Sequence, residues 1–344
     1  MEDVLLDVRD LKTGFKTDKG LLQAVDGISF QIKRGEILGL VGESGCGKSM
    51  TSQSILRLIG LKRHEVVEGE ILFEGEDLLK KNDKEMQSIR GSRIGLIAQD
   101  PMTSLNPVYT VGNQIAEVPL IHEKVTKKSA WNTAIAMLKK VGIPAAKERS
   151  RQYPHQFSGG MRQRGVIGMA LAGSPSLLIA DEPTTALDVT IQAQVLDLIL
   201  SLRDETKAGM MIITHDLGIV AQICDTVAVM YAGKIVEKAS VKQLFENPQH
   251  PYTKGLLASL PKVGSKERLQ PIDGQPPNLN EVKGGCRFAD RCPLVFAKCH
   301  TEHPPFYSTE LNHQTACYVY EKEGDDNDRK DSGTSESRRV EEVL

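Results

Sequence analysis

Residues 42–49, Gly-Glu-Ser-Gly-Cys-Gly-Lys-Ser, fill every fixed position of the spacing G-x-x-x-x-G-K-[ST]. This octet constrains the fold strongly because its chemistry works in one setting only. The loop must leave a buried strand and open a helix, so that backbone N–H groups and the positive helix end face one phosphate. The flanks meet that demand. Ile37-Leu38-Gly39-Leu40-Val41 is a short apolar run of the kind buried in parallel sheets, and Ser49 to Ile59 has helical spacing at Ile55, Leu56 and Ile59. Gly42, Ser44, Gly45, Cys46, Gly47, Lys48, Ser49 and Met50 are therefore expected around a nucleotide. Lys48 would reach the β- and γ-phosphates, and Ser49 would give its hydroxyl to Mg²⁺. Cys46 reads as a redox-sensitive thiol or, more simply, as a small residue tolerated between two glycines.

The rest of the chain supplies an α/β frame for this loop. Val4-Leu5-Leu6-Asp7-Val8 and Val25 to Ile32 are strand-like, broken by Gly14, Lys19-Gly20 and Asp26-Gly27. From about Gln99 to Ala172 the pattern is helical; Ala130 to Val141 is one such helix, stopped by Gly142 and Pro144. Leu177 to Ala180 and Gly209 to Thr214 read as buried strands around the amphipathic helix Ile191 to Leu202, and Val227 to Glu237 as a terminal hairpin. This alternation predicts a parallel sheet. With 344 residues the chain suggests roughly two folding units. The expected divisions are 1–246, 247–320 and a charged, disordered tail 321–344, where nine acids and five bases occur with almost no large apolar residue. A net charge of −2 gives no sign of a nucleic-acid binder. The acidic start Met1-Glu2-Asp3 lacks the pattern of a secretory signal, and the longest uncharged stretches are interrupted by Gly, Ser or Pro, so a cytosolic chain without a spanning helix is expected.

Leu177-Leu178-Ile179-Ala180-Asp181-Glu182 ends an apolar strand in two carboxylates. In phosphoryl transfer the first can hold Mg²⁺ and the second can orient or deprotonate the attacking water. Just upstream stands Phe157-Ser158-Gly159-Gly160-Met161-Arg162-Gln163-Arg164. With that stretch the chain resembles the nucleotide-binding subunit of an ATP-binding-cassette (ABC) transporter. The resemblance implies a P-loop NTPase fold with a RecA-like core, an antiparallel β subdomain and a helical subdomain spanning about 99–172. It also implies a head-to-tail dimer in which Ser158, Gly159, Gly160 and Gln163 of one chain close over ATP on the other. Asp188, in Ala186-Leu187-Asp188, would cross that interface. Gln99 would contact Mg²⁺ and water, Asp181 would serve Mg²⁺, Glu182 would act as the base, His215 would contact the γ-phosphate and Phe15 would stack on adenine.

Gln99-Asp-Pro-Met-Thr-Ser-Leu-Asn-Pro107, Asn247-Pro-Gln-His-Pro-Tyr-Thr253, Gly274-Gln-Pro-Pro277 and Cys286-Arg-Phe-Ala-Asp-Arg-Cys-Pro293 narrow the match. They are similar to the oligopeptide, dipeptide and nickel importer ATPases. That similarity implies two permease subunits, a related but non-identical second ATPase (a heterodimer), an extracytoplasmic solute-binding protein and a peripheral place on the cytoplasmic face of the membrane. Peptides are the expected solute, with nickel or another small solute as the alternative. A soluble cassette ATPase of DNA repair or translation fits less well, since the chain has one cassette and no heptads. Four of six cysteines, Cys286, Cys292, Cys299 and Cys317, crowd into a small irregular extension. Four thiolates suit a 4Fe–4S cluster or Zn²⁺, and free thiols are the remaining reading.

Overall fold

The computed structural model describes residues 3–18, 20–59, 65–184, 187–260, 271–279 and 284–321. The chain opens with a long hairpin of β1 (Val4–Thr17) and β2 (Gly20–Lys33), followed by β3 (Ile37–Val41) and α1 (Lys48–Ile55). Next come β4 (Glu65–Phe73), β5 (Glu76–Asp77), α2 (Asp83–Ile89) and β6 (Ile94–Ile97). A helical block holds α3 (Pro101–Ser104), α4 (Val111–His122), α5 (Lys127–Lys140), α6 (Ala146–Arg149) and α7 (Gly159–Leu171). The sheet resumes with β7 (Leu177–Asp181), α8 (Val189–Thr206), β8 (Gly209–Thr214), α9 (Leu217–Ile223), β9 (Thr226–Tyr231) and β10 (Lys234–Ser240). Then follow α10 (Val241–Glu246), α11 (Pro251–Ala258), α12 (Ala297–Thr301), β11 (Tyr307–Glu310) and β12 (His313–Thr315).

One antiparallel sheet has the order β2-β1-β4-β5, and a larger sheet has the order β11-β12-β10-β9-β3-β8-β7-β6. In the larger sheet β6, β7, β8, β3 and β9 run parallel. Every residue of β3, β7 and β8 is buried, which is why these strands read as unbroken apolar runs. One apolar core joins the small sheet and α1 to the larger sheet through Leu6, Phe30, Ile55, Phe73 and Ile213. A second joins the helical block to it through Ile115, Leu138, Ile167, Leu178 and Ile199.

Register carries function here. Val41 pairs with Thr214, and Asp181 pairs with Ile213. The residues after β3, β7 and β8 therefore leave at one end of the sheet. In an open α/β sheet that end is where ligands bind.

Three expectations need correction. The first helix stops at Ile55, short of Ile59, because Arg57 turns left-handed (φ 48°) and ends the helical path. The β9–β10 hairpin is not terminal, and the extension is not wholly irregular. β12 pairs antiparallel with β10, at Glu237↔Thr315 and Lys238↔Gln314, and β11 pairs with β12. The Glu237 carboxylate is what fixes this junction. It is fully buried and accepts from the N–H groups of Gln249 (2.7 Å) and His250 (2.8 Å), with His313 Nε2 at 2.7 Å. Of the expected tail, Glu321 is ion-paired with Lys298 at 2.7 Å, and residues 322–344 lie outside the described residues.

Candidate active site

The loop after β3 is built on two glycines that no other residue replaces. Gly42 (φ 154°) would place a Cβ 2.1 Å from the Met230 carbonyl oxygen, and Gly47 (φ 108°) would place one 2.4 Å from that of Ala24. Contact with β9 and β2 thus sets the loop's curvature. Gly47 also precedes α1 directly, so the helix N-terminus faces the loop. Ser44 and Gly45 are exposed, Ser49 and Met50 half-buried, and Cys46 and Lys48 buried. The Lys48 ammonium donates to the carbonyl oxygens of Gly42 (2.7 Å) and Glu43 (3.0 Å). Burial raises the Cys46 thiol pKa despite the nearby Lys48 charge, which favours the small-residue reading over an ionised redox thiol.

Ser49 Oγ donates to Asp181 Oδ1 at 3.1 Å, joining the loop to the end of β7. Burial raises the Asp181 pKa and neighbouring Glu182 adds to the rise, while Ser49 and Lys48 oppose it. A hydroxyl and a carboxylate in this contact are the hard oxygen pair that suits Mg²⁺.

Glu182 follows with a left-handed backbone, φ 49°, which a non-glycine residue adopts at a cost. Its N–H donates to the Ile213 carbonyl at 2.8 Å, so the sheet ladder holds the strained residue in place. Gln99 Nε2 donates to Glu182 Oε2 at 2.9 Å, and His215 Nδ1 lies 3.2 Å from Glu182 Oε1. Three strand ends, those of β6, β7 and β8, thereby converge on one carboxylate. His215 is largely exposed (62%) and Glu182 is mostly covered (14%), so the histidine forms the solvent side of the group.

The remaining residues singled out in the sequence lie elsewhere on the surface or beneath it. Ser158 and Gly159 are exposed at the start of α7, where Ser158 Oγ accepts from the Met161 N–H at 3.4 Å. Gly160 is half-buried against Ile191. Gln163, expected to close over a partner's ATP, is buried in this chain, and its amide donates to the Pro183 carbonyl at 2.7 Å. It holds the segment after Glu182 from below. Asp188 caps α8 by accepting from the Ile191 N–H at 2.9 Å, while Ala186 lies outside the described residues. Phe15 is half-buried on β1 beside Leu22. Sequence reading passed over Glu43, because it occupies a variable position of the motif.

The expected metal centre in the extension needs qualification. Among the described residues, no group of three or more His, Cys, Asp or Glu side chains is gathered as a metal site. Cys286, Cys292, Cys299 and Cys317 nonetheless line one narrow cavity, with Phe296 and Tyr318. Burial raises the Cys286 pKa to about 11, and that of Cys292 and Cys317 also rises. No helix among the described residues is long and apolar enough to cross a membrane.

Comparison with known proteins places this geometry. The family model "ABC transporter" matches residues 25–185, and "Oligopeptide/dipeptide transporter, C-terminal region" matches residues 236–299. The chain is 52% identical to the probable peptide ABC transporter ATP-binding protein y4tR of Sinorhizobium fredii, across 92% of this chain and 95% of that one. It is 51% identical to the dipeptide transport ATP-binding protein DppD of Bacillus subtilis, across 94% and 96%. Among solved structures it resembles cbiO1 of Clostridium perfringens, part of the ABC transporter complex cbiONQ. That match has 29% identity and a TM-score of 0.61, and it covers 72% of this chain and 92% of that one.

Proposed function

Because the chain belongs to the ATP-binding subunits of peptide ABC transporters, we propose that Lys48, Gln99, Glu182 and His215 form the working half-site with which it hydrolyses ATP to drive peptide import. The observation that carries this reading is the convergence of Gln99 and His215 on Glu182, beside the Ser49–Asp181 pair and the phosphate loop.

The loop amides and Lys48 bind the phosphates. Ser49 and Asp181 would hold Mg²⁺, with Gln99 nearby, and the bound ion would supply neutralisation of phosphate charge. Gln99 and Glu182 orient the attacking water, and a Glu182 oxygen accepts its proton as the water oxygen bonds to the γ-phosphorus and the bond from that phosphorus to the β–γ bridging oxygen breaks, releasing ADP and phosphate. The left-handed backbone at Glu182 aims that carboxylate, and Gln163 supports the turn beneath it. His215 faces the γ-phosphate. Phe15 stacks on adenine.

Ser158, Gly159 and Gly160 serve the second chain of a head-to-tail dimer. A Cβ on Gly159 would meet nothing within 4 Å in its own chain, so its lack of a side chain suits close approach by a partner. Asp188, exposed beside Val189, is read as crossing the same dimer interface. The second chain is a related, non-identical ATPase; two permeases and an external peptide-binding protein complete the assembly, with this subunit peripheral on the cytoplasmic side.

In the assembled transporter, Glu182→Gln is expected to keep MgATP binding and lower turnover by about 10²–10⁴-fold. Undiminished hydrolysis would remove Glu182 from its role.

The four extension cysteines are read as ligands of a structural 4Fe–4S cluster, because all four line one cavity, together with His250 and mostly apolar groups. Protein prepared without oxygen is expected to carry iron and acid-labile sulfide that a Cys292→Ser variant lacks. Stoichiometric zinc, or neither metal, would refute this.

A further inference from the structure

Arg291 and Glu43 stand 248 residues apart in sequence and meet as a two-pronged ion pair. Arg291 Nη1 donates to Glu43 Oε2 at 2.9 Å, and Nη2 donates to Oε1 at 3.1 Å. The arginine side chain is 6% exposed and the glutamate side chain 26%, so the pair is mostly withdrawn from water. Such a fork fixes both distance and angle between its partners.

The two ends belong to different machinery. Glu43 is the second residue of the phosphate loop, and its carbonyl oxygen is one of the two that receive the Lys48 ammonium. Its N–H is held as well, donating to the buried Tyr252 hydroxyl of α11 at 3.0 Å. Arg291 lies in the short turn between Cys286 and Cys292. Backbone bonds from Ala289 to Cys286 (3.0 Å), Arg291 to Phe288 (3.0 Å) and Cys292 to Ala289 (3.2 Å) make that turn one stiff unit. Arg291 is tied further to the carbonyl of Asp273 (2.9 Å) and the hydroxyl of Tyr231 (3.2 Å). Tyr231, Tyr252 and Phe288 pack mutually in tilted and edge-to-face contacts, with ring centres 4.6–5.4 Å apart, and leave the turn no slack towards the sheet.

A second arginine of the same turn braces the β9–β10 turn that backs the loop. Arg287, next to Cys286, pairs with Asp26 and the Ala232 carbonyl. The following N–H, of Gly233, donates to the Cys46 carbonyl at 2.8 Å. Displacement of Cys292 therefore moves an arginine whose far end rests on the loop, and displacement of Cys286 moves one that reaches the loop only through the 232–233 turn.

We propose that Arg291 is a positioning residue that couples the Cys286–Cys292 turn to the phosphate loop, so that the chemical state of those thiols sets nucleotide affinity. The proposal rests on the nucleotide-binding reading above and deepens it. It assigns the extension a regulatory input to the ATP site, in addition to any metal it holds.

The test is a double-mutant cycle on the full chain, reading the Kd for the Mg²⁺ complex of a non-hydrolysable ATP analogue, with the Tm of the nucleotide-free protein as a folding control. Arg291→Gln is expected to weaken binding about tenfold, a usual size for coupling between sites, with Arg291→Lys restoring part of the loss. Cys292→Ser is expected to weaken binding in the wild-type background and to have no further effect beside Arg291→Gln. If Arg291→Gln does not fold, Glu43→Gln removes the same fork from the other side and completes the cycle. Additive effects, or a lowered Tm with unchanged Kd, would overturn the coupling. Failure of the unmodified chain to bind the analogue would instead overturn the nucleotide reading, and the coupling with it.

Discussion

Glu182 sits where a β-carbon is penalised, and Gly47 sits where one is excluded; the two show how the site stores and avoids strain. At Gly47 the intruding Cβ would strike the Ala24 carbonyl at 2.4 Å and the Met230 methyl at 2.6 Å. Gly47→Ala is therefore expected to cost about 1–3 kcal/mol in stability and to abolish nucleotide binding, read as a lower Tm and a lost binding isotherm. An unchanged Tm would show that the loop relaxes freely. Gly47 was legible beforehand because the motif specifies it. The strain at Glu182 was not, since φ there follows from the Ile213 carbonyl and the buried Gln163 amide, both remote in sequence. Gln163 shows the same limit. Its place in the signature stretch marked it as important, but burial against Pro183 makes it a support beneath the loop.

Among elements, legibility followed burial. β3, β7 and β8 are covered on both faces, so their apolar runs announced them. α5 was also readable, because Gly142 turns left-handed (φ 72°) just past its end and Thr126 caps its start. β11 and β12 were hidden for the opposite reason. They are short, with mixed burial along β11, and their sequence Tyr307–Thr315 carries no clean alternation. What places them is a tertiary contact, the buried His313 against Glu237. Arg291 was hidden likewise: no spacing rule connects a turn between cysteines to a phosphate loop.

At the scale of the molecule, the seam between ATPase core and extension is built from buried polar groups, which makes it sensitive to acid. His250 is fully buried, and burial lowers its pKa to about 4. As a neutral ring it accepts the Tyr252 N–H at Nδ1, 3.1 Å away, and protonation would remove that acceptor. His303 is held at about 4 in the same way. An unfolded histidine titrates near 6.5. Between about 6.5 and 4 the unfolded chain thus binds protons that the folded chain refuses, and stability falls as pH falls. Above about 6.5 both states are neutral, and these groups contribute no pH dependence. The loss is on the order of 3 kcal/mol for His250 at the low end of that window. Denaturation midpoints measured from pH 7 to pH 4 are expected to drop, and a His250→Asn variant, which keeps a capping oxygen, is expected to flatten the drop. A variant with the wild-type slope would clear His250.

The pairing of β12 with β10 has a consequence for solubility. A sheet's outermost strand offers unpaired N–H and C=O groups to any extended chain that drifts past, and many proteins cover such borders to avoid sticking together. Here the covering is done by residues encoded some seventy-five positions after the strand they shield, as the Lys238↔Gln314 pairing records. During synthesis β10 therefore emerges long before its cover does. The interval is one in which neighbouring nascent chains compete for the same border that His313 and Thr315 eventually close.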